Sequence, residues 1–185
     1  MKSLTYLADK WGTDKGTLYE GHQYTKIYEK FLPPTSTPVM VEIGLKDPRF
    51  PGSGMRMWDE YFGDFQYYGF DIEEANDLNP NPNKFNLYKG DQSNPLDLIN
   101  FINTFNLDNK IDVIIDDGSH VGSHIIITFK TLYPSLKKGG IYIIEDLHAG
   151  HAVKNITLPK IISILLNNFE YSNIKITDKL VIITK

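Results

Sequence analysis

With 185 residues, 41% hydrophobic and 23% charged, the chain has the composition of an ordinary globular protein and enough material for one continuous core. Its 19 basic and 23 acidic residues leave a net charge of -4, which argues against a nucleic-acid surface, and no apolar run nears the roughly 20 residues of a membrane span. The absence of cysteine excludes disulfides, thiolate metal sites and cysteine nucleophiles together, so any metal must be held by oxygen or imidazole.

The first residues, Met1 to Tyr6, carry no apolar stretch of the signal-peptide kind, and a cytoplasmic location is expected. The segment up to about Phe31 precedes the first strand and is expected to be helical, lying over the ligand end of a sheet. Strands are expected at Val39–Gly44, Tyr67–Ile72 and Phe85–Lys89, then at Asp112–Asp117 and Gly140–Glu145. The last two are β-branched nearly throughout, as strands covered on both faces should be. Between them, Leu96, Ile99, Phe101, Ile102 and Phe105 mark one helical face. Ile125, Phe129, Leu132 and Leu136 mark another, ended by the run Lys137-Lys138-Gly139-Gly140. A further helix starts near Pro159 and runs to about Asn168.

Strand and helix in alternation predict an α/β fold with a doubly wound, mostly parallel sheet. The end of the chain breaks the rhythm. Tyr171–Thr177 and Leu180–Thr184 are separated only by Asp178-Lys179, too short for a parallel crossover, so they predict an antiparallel hairpin. Dinucleotide dehydrogenases usually lack such an ending, whereas Rossmann-like methyltransferases have it. We therefore expect a seven-stranded class I sheet. The whole of 1–185 is read as one domain, with 1–36 as a helical cover and 37–185 as the core.

In an open parallel sheet, ligands bind beyond the carboxyl ends of the strands. Here those ends are Glu42-Ile43-Gly44, Asp71, Gly90-Asp91-Gln92-Ser93, Asp116-Asp117-Gly118-Ser119-His120 and Glu145-Asp146-Leu147-His148. Asp71 stands where a ribose-binding acid belongs, one βα unit after the turn at Gly44, and a carboxylate there can grip both ribose hydroxyls. The stretch from Gly44 to Gly54 contains no G-x-G-x-x-G, so it lacks the cradle that a pyrophosphate needs. S-adenosylmethionine carries no phosphate and needs none; Gly44 lets the backbone pass its methionine part, and Ser53 is within reach of its carboxylate.

Asp117, Glu145 and Asp146 end two strands that the connectivity makes neighbours. Three carboxylates in one place repel unless a proton or cation compensates them, and Mg²⁺ or another hard cation taking oxygen ligands would do so. The alternative is that some of these acids cap the following helices. His120, three residues after Asp117, is the natural acceptor for a hydroxyl proton at neutral pH. His124 reads as structural or surface, His148 and His151 belong to a loop that either lines an acceptor pocket or has no role, and His22 has no assignment.

These motifs resemble a known family, the metal-dependent sugar O-methyltransferases of macrolide antibiotic biosynthesis together with rhamnosyl O-methyltransferases. The resemblance covers nearly the whole chain. It rests on Trp11-Gly12-Thr13-Asp14-Lys15-Gly16 with Tyr24-Thr25 and Tyr28, on Val41-Glu42-Ile43-Gly44, and on Met55-Arg56-Met57-Trp58 with Tyr61-Phe62. It continues through Gly90-Asp91-Gln92-Ser93, Ile115-Asp116-Asp117-Gly118-Ser119-His120 and Ile144-Glu145-Asp146-Leu147. It implies methyl transfer to a hydroxyl of a sugar or other small-molecule or glycan acceptor, with Asp117, Glu145 and Asp146 as magnesium ligands and His120 as base. It also implies that Asp71 is the ribose acid and that Asp91 and Gln92 lie beside the adenine. Glu42 and Asp116, at the same strand ends, are expected on the cofactor side with Gly44 and Ser53. Neither nucleic acid nor membrane is an expected partner, and homo-oligomers are left open. The chain departs from the family in a short His148–Thr157 segment and at Lys46–Pro51. Two other readings stay open here, a nicotinamide-dependent oxidoreductase or sugar-nucleotide enzyme on a similar sheet, and a binding module without turnover.

Overall fold

The computed structural model describes residues 2–19, 21–32, 37–47, 49–147, 158–167 and 169–185. Helix α1 (Leu4–Trp11) is capped by Ser3, whose hydroxyl accepts from the Tyr6 amide, and stops at Gly12 in the left-handed region. An irregular stretch leads to the short α2 (Thr25–Tyr28). The core then runs β1 (Val39–Ile43), α3 (Ser53–Phe62), β2 (Gln66–Asp71), β3 (Phe85–Lys89), α4 (Pro95–Phe105), β4 (Ile111–Asp116), α5 (Gly122–Leu132), β5 (Leu136–Ile144), α6 (Leu158–Leu166), β6 (Asn173–Ile176) and β7 (Val181–Thr184).

The seven strands lie in the order β3-β2-β1-β4-β5-β7-β6. Every pairing up to β4–β5 is parallel, and β7 pairs antiparallel with both β5 and β6, as the hairpin reading required. The expected Rossmann-like sheet is present. Alternation along each strand feeds two cores. Val41, Ile43, Ile114, Tyr142 and Ile144 pack toward α4, α5 and α6, while Met40, Val113, Ile115, Ile141 and Ile143 pack toward α1, α2 and α3.

Two local expectations are corrected. Leu136 opens β5 rather than ending a helix; α5 stops at Leu132, and a 3₁₀ turn over Tyr133–Ser135 intervenes. Pro134 explains the stop, because its ring removes an amide that a continuing helix needs. On α4 the buried face is Leu98 and Phe101 with Ile102 and Phe105 packed at its margin, whereas Leu96 and Ile99 are exposed. The N-terminal segment does cover the sheet, but only part of it is helical.

Candidate active site

The two-residue period along the strands decides which acids share a face. Ile43, Asp116 and Ile144 are in register across β1, β4 and β5, so the residues that follow them emerge together at the carboxyl edge. Asp117 donates its amide to Ile43 O, and Glu145 donates its own to Asp116 O. By parity Glu42, Asp117 and Glu145 face the N-terminal cover, and Asp116 faces the opposite layer. Gly44 closes the turn after β1 with a φ of 85°; a Cβ there would lie 2.1 Å from the Asp117 carbonyl oxygen. Only glycine lets these two strand ends approach so closely.

At this edge lies a cavity of about 570 Å³, lined among others by Gly44, Ser53, Asp71, Asp91, Asp117 and His120. That is the size of an ordinary small-molecule site. Asp71 is nearly buried, and its Oδ2 accepts the amides of Leu45 (2.6 Å) and Lys46 (3.1 Å) while Oδ1 accepts that of Glu73 (2.9 Å). Since a carboxylate offers about four acceptor positions, about one remains for a ligand while the loop is held this way. Gln92 ties the loop after β4 into place. Its Oε1 accepts the Ser119 amide at 2.5 Å, and its Nε2 donates to Asp116 Oδ1 and Thr128 Oγ1. Glu42 is buried beneath the cavity and accepts from the Tyr67 hydroxyl. Its carboxyl is pushed up by burial, and Lys15 and Tyr67 oppose that shift. The Ser53 hydroxyl donates to Phe50 O at 3.0 Å.

The acids themselves are met by the N-terminal cover. Lys15, only 3% exposed, places its Nζ 2.5 Å from Asp117 Oδ2 and 2.7 Å from Glu145 Oε2. Tyr28 donates to Glu145 Oε1 and Tyr24 donates to Asp146 Oδ1, each at 2.5 Å. Burial alone would lower the Lys15 pKa, but Asp117 and Glu145 outweigh it and hold the ammonium well above the ordinary lysine value. Burial, and for Glu145 the charge of Asp117, push both acids up despite Lys15. Asp146 goes the other way: burial raises it, but the Tyr24 hydroxyl, His120 and His22 together bring it below the usual value.

One oxygen of Asp117, one of Asp146 and one nitrogen of His120 lie within 4.8 Å of one another. The backbones of His120 and Asp146 sit in the left-handed region, at φ 55° and 53°, which turns both side chains toward this point. Backbone conformations of this kind are uncommon for residues with a Cβ and collect at functional sites. The carboxylates suit a hard divalent cation taking oxygen ligands, since burial and mutual repulsion leave them under-compensated, and His120 stands beside them.

No family model matches the chain. In sequence it is 34% identical over 155 residues to the 8-demethyl-8-α-L-rhamnosyl tetracenomycin-C 2'-O-methyltransferase of Streptomyces olivaceus, a match covering 80% of this chain and 37% of that protein. It is 33% identical over 147 residues to the demethylmacrocin O-methyltransferase of Streptomyces fradiae, covering 77% of this chain and 34% of that one. The chain thus spans about a third of the length of the curated relatives it matches. In structure it superposes on the MycE methyltransferase from the mycinamycin biosynthetic pathway, solved in complex with Mg, S-adenosylhomocysteine and mycinamycin VI. The TM-score is 0.79 at 22% identity, over 99% of this chain and 54% of that one. The chain has the class I methyltransferase fold, and its sequence relatives are rhamnosyl and macrolide O-methyltransferases.

On this methyltransferase fold, most of the expected residues converge. Glu42, Gly44, Ser53, Asp71, Asp91, Gln92, Asp117, His120 and Asp146 all line the one cavity. Asp116 does not. It is 2% exposed, bound to Gln92 and to the Tyr142 hydroxyl, and burial raises its pKa to about 6. Glu145 lies outside the three-residue group and is not among the residues lining the cavity; Lys15 and Tyr28 bond its two oxygens. His124 bonds Ser119 Oγ through Nδ1, and His22 Nδ1 lies 3.5 Å from Asp146 Oδ1. His148 and His151 fall outside the described residues. Lys15, Tyr24 and Tyr28 stand in the sequence only as part of the resemblance, without a role, since the stretch that carries Lys15 has no periodicity to orient it. One signal was present: acids gathered on a single face require a compensating cation.

Proposed function

We propose that this chain is an S-adenosylmethionine-dependent O-methyltransferase that uses a divalent cation, Mg²⁺ foremost, and acts on a sugar hydroxyl of a glycosylated small molecule. The observation that carries the reading is that the Asp117–His120–Asp146 group opens into the same cavity as Asp71 and Gly44. The printed activities of the relatives, and the Mg and S-adenosylhomocysteine in the MycE complex, support it. A cytoplasmic location is part of the same reading. Among the described residues no helix is long and apolar enough to cross a membrane, and the net charge of -4 fits a partner other than nucleic acid.

In this reading Asp71 accepts a ribose hydroxyl, Gly44 leaves room for the methionine part with Ser53 beside it, and Asp91 and Gln92 flank the adenine. The sulfonium supplies a methyl group that is already an activated electrophile. Asp117 and Asp146 would hold the cation with His120 beside them, joined by Glu145 once its oxygens are released, and a cation held there would supply acidification of the acceptor hydroxyl. His120 takes the hydroxyl proton as the acceptor oxygen bonds to the methyl carbon and the carbon–sulfur bond breaks. The products are a methyl ether and S-adenosylhomocysteine. The protein's share of the work is mainly positioning and deprotonation.

The test is methyl transfer from labelled S-adenosylmethionine to rhamnosylated and macrolide acceptors, with and without EDTA. Transfer should stop in EDTA and return with Mg²⁺. Full transfer by protein shown to be metal-free would remove the cation from the reading.

A further inference from the structure

Lys15 has a property that a simple structural lysine does not need. Its ammonium sits between the two acids, 2.5 Å from Asp117 Oδ2 and 2.7 Å from Glu145 Oε2, and the Glu145 side chain is 1% exposed. A buried carboxylate beside a partly exposed one, without a compensating charge, would be destabilising. Lys15 therefore stands at the oxygens that a divalent cation would also claim. A cation bound to a carboxylate oxygen at about 2.1 Å would lie close to an ammonium on the same group, and the two positive charges would repel. The backbone around Lys15 suits a side chain that moves alone. Its carbonyl is pinned by the Thr25 amide and hydroxyl, each at 3.2 Å, while residues 12–19 and 21–24 lie outside any regular element that a moving ammonium would have to unwind.

We propose that Lys15 is a tethered counter-cation that competes with the divalent metal for Asp117 and Glu145, so that metal entry displaces its ammonium and frees Glu145 to join the site. The proposal rests on the metal reading given above. It makes the N-terminal cover a guard of the acid cluster: the acids stay compensated before the metal arrives, and selection falls on ions that outcompete a fixed single charge.

Calorimetric titration with MgCl₂ alone, in the absence of cofactor, tests it on wild type, Lys15→Gln and Lys15→Arg. Lys15→Gln should bind Mg²⁺ about tenfold more tightly, because the competing state is gone, while Lys15→Arg, which keeps the charge, stays near wild type. Without metal Lys15→Gln should melt below wild type, and saturating Mg²⁺ should close most of that gap. Should Lys15→Gln fail to fold without Mg²⁺, folding on its addition supports the same conclusion. A second measurement needs no variant: amine methylation of the wild-type protein should spare Lys15 without Mg²⁺ and modify it at saturating Mg²⁺. Equal Mg²⁺ affinity in wild type and Lys15→Gln, or Lys15 equally protected in both conditions, overturns the role of Lys15 and leaves the metal reading standing. Absence of Mg²⁺ binding by all three proteins overturns both.

Discussion

Gly44, His120 and Asp146 hold left-handed backbones at one strand edge, but only the first is a glycine. For Gly44 the cause is space as well as φ, since an added Cβ would meet the Asp117 carbonyl at 2.1 Å. Gly44→Ala should therefore cost about 1–3 kcal/mol or more in a chemical denaturation series, the scale of a strained backbone position. A neutral result would mean that the β1 and β4 turns separate freely. For His120 the φ aims an imidazole into the cavity. If His120 is the base, His120→Ala should lower kcat by about 10²–10⁴-fold with little change in S-adenosylhomocysteine affinity. Retained turnover would hand the proton to Asp117 or water. Asp116 shows where residue identity alone misleads. An acid in an acidic motif reads as a cofactor-side residue, yet strand parity turns it away from the cavity and burial raises it to about 6.

The N-terminal cover is fastened to the sheet layer by α1 against α3. Glu60 of α3 is bonded by Lys2 at 2.9 Å, by Trp11 Nε1 at 2.9 Å and by Lys10. The Lys10 and Lys2 contacts hold the Glu60 pKa down to about 2, below its ordinary 4.5. A depressed acid stabilises the fold above its unfolded pKa and loses that contribution as pH falls through the folded value. The stability difference between wild type and Glu60→Gln should thus be present at pH 7 and shrink between about pH 4.5 and 2, as followed by urea denaturation. A difference that does not change with pH would show that the staple carries no charge. Elements of this kind account for what the sequence hid. The strands and the terminal hairpin were legible from β-branched runs and connection length. The stop of α5 at Pro134 and the true face of α4 were misread, because apolar residues at helical spacing continued past a proline and onto an exposed side. The cover carries no repeating apolar pattern between α1 and α2, so the placement of Lys15, Tyr24 and Tyr28 over the acids became visible only in three dimensions.

At the scale of the molecule, topology does most of the work. The order β3-β2-β1-β4-β5-β7-β6 brings the ends of β1, β4 and β5 side by side, and the acids that follow those strands were legible as a cluster for that reason. The cavity side of the site was therefore open to sequence reasoning, and the cover side was not. The chain matches about a third of the length of its curated relatives. The central claim is that this cavity takes S-adenosylmethionine, and calorimetry with S-adenosylhomocysteine measures it most directly. Wild type should bind S-adenosylhomocysteine and not NAD. Asp71→Asn, which keeps the shape of the side chain, should weaken binding by about 1–3 kcal/mol, the range for a hydrogen bond to a charged group. NAD binding with no response to S-adenosylhomocysteine would contradict the account.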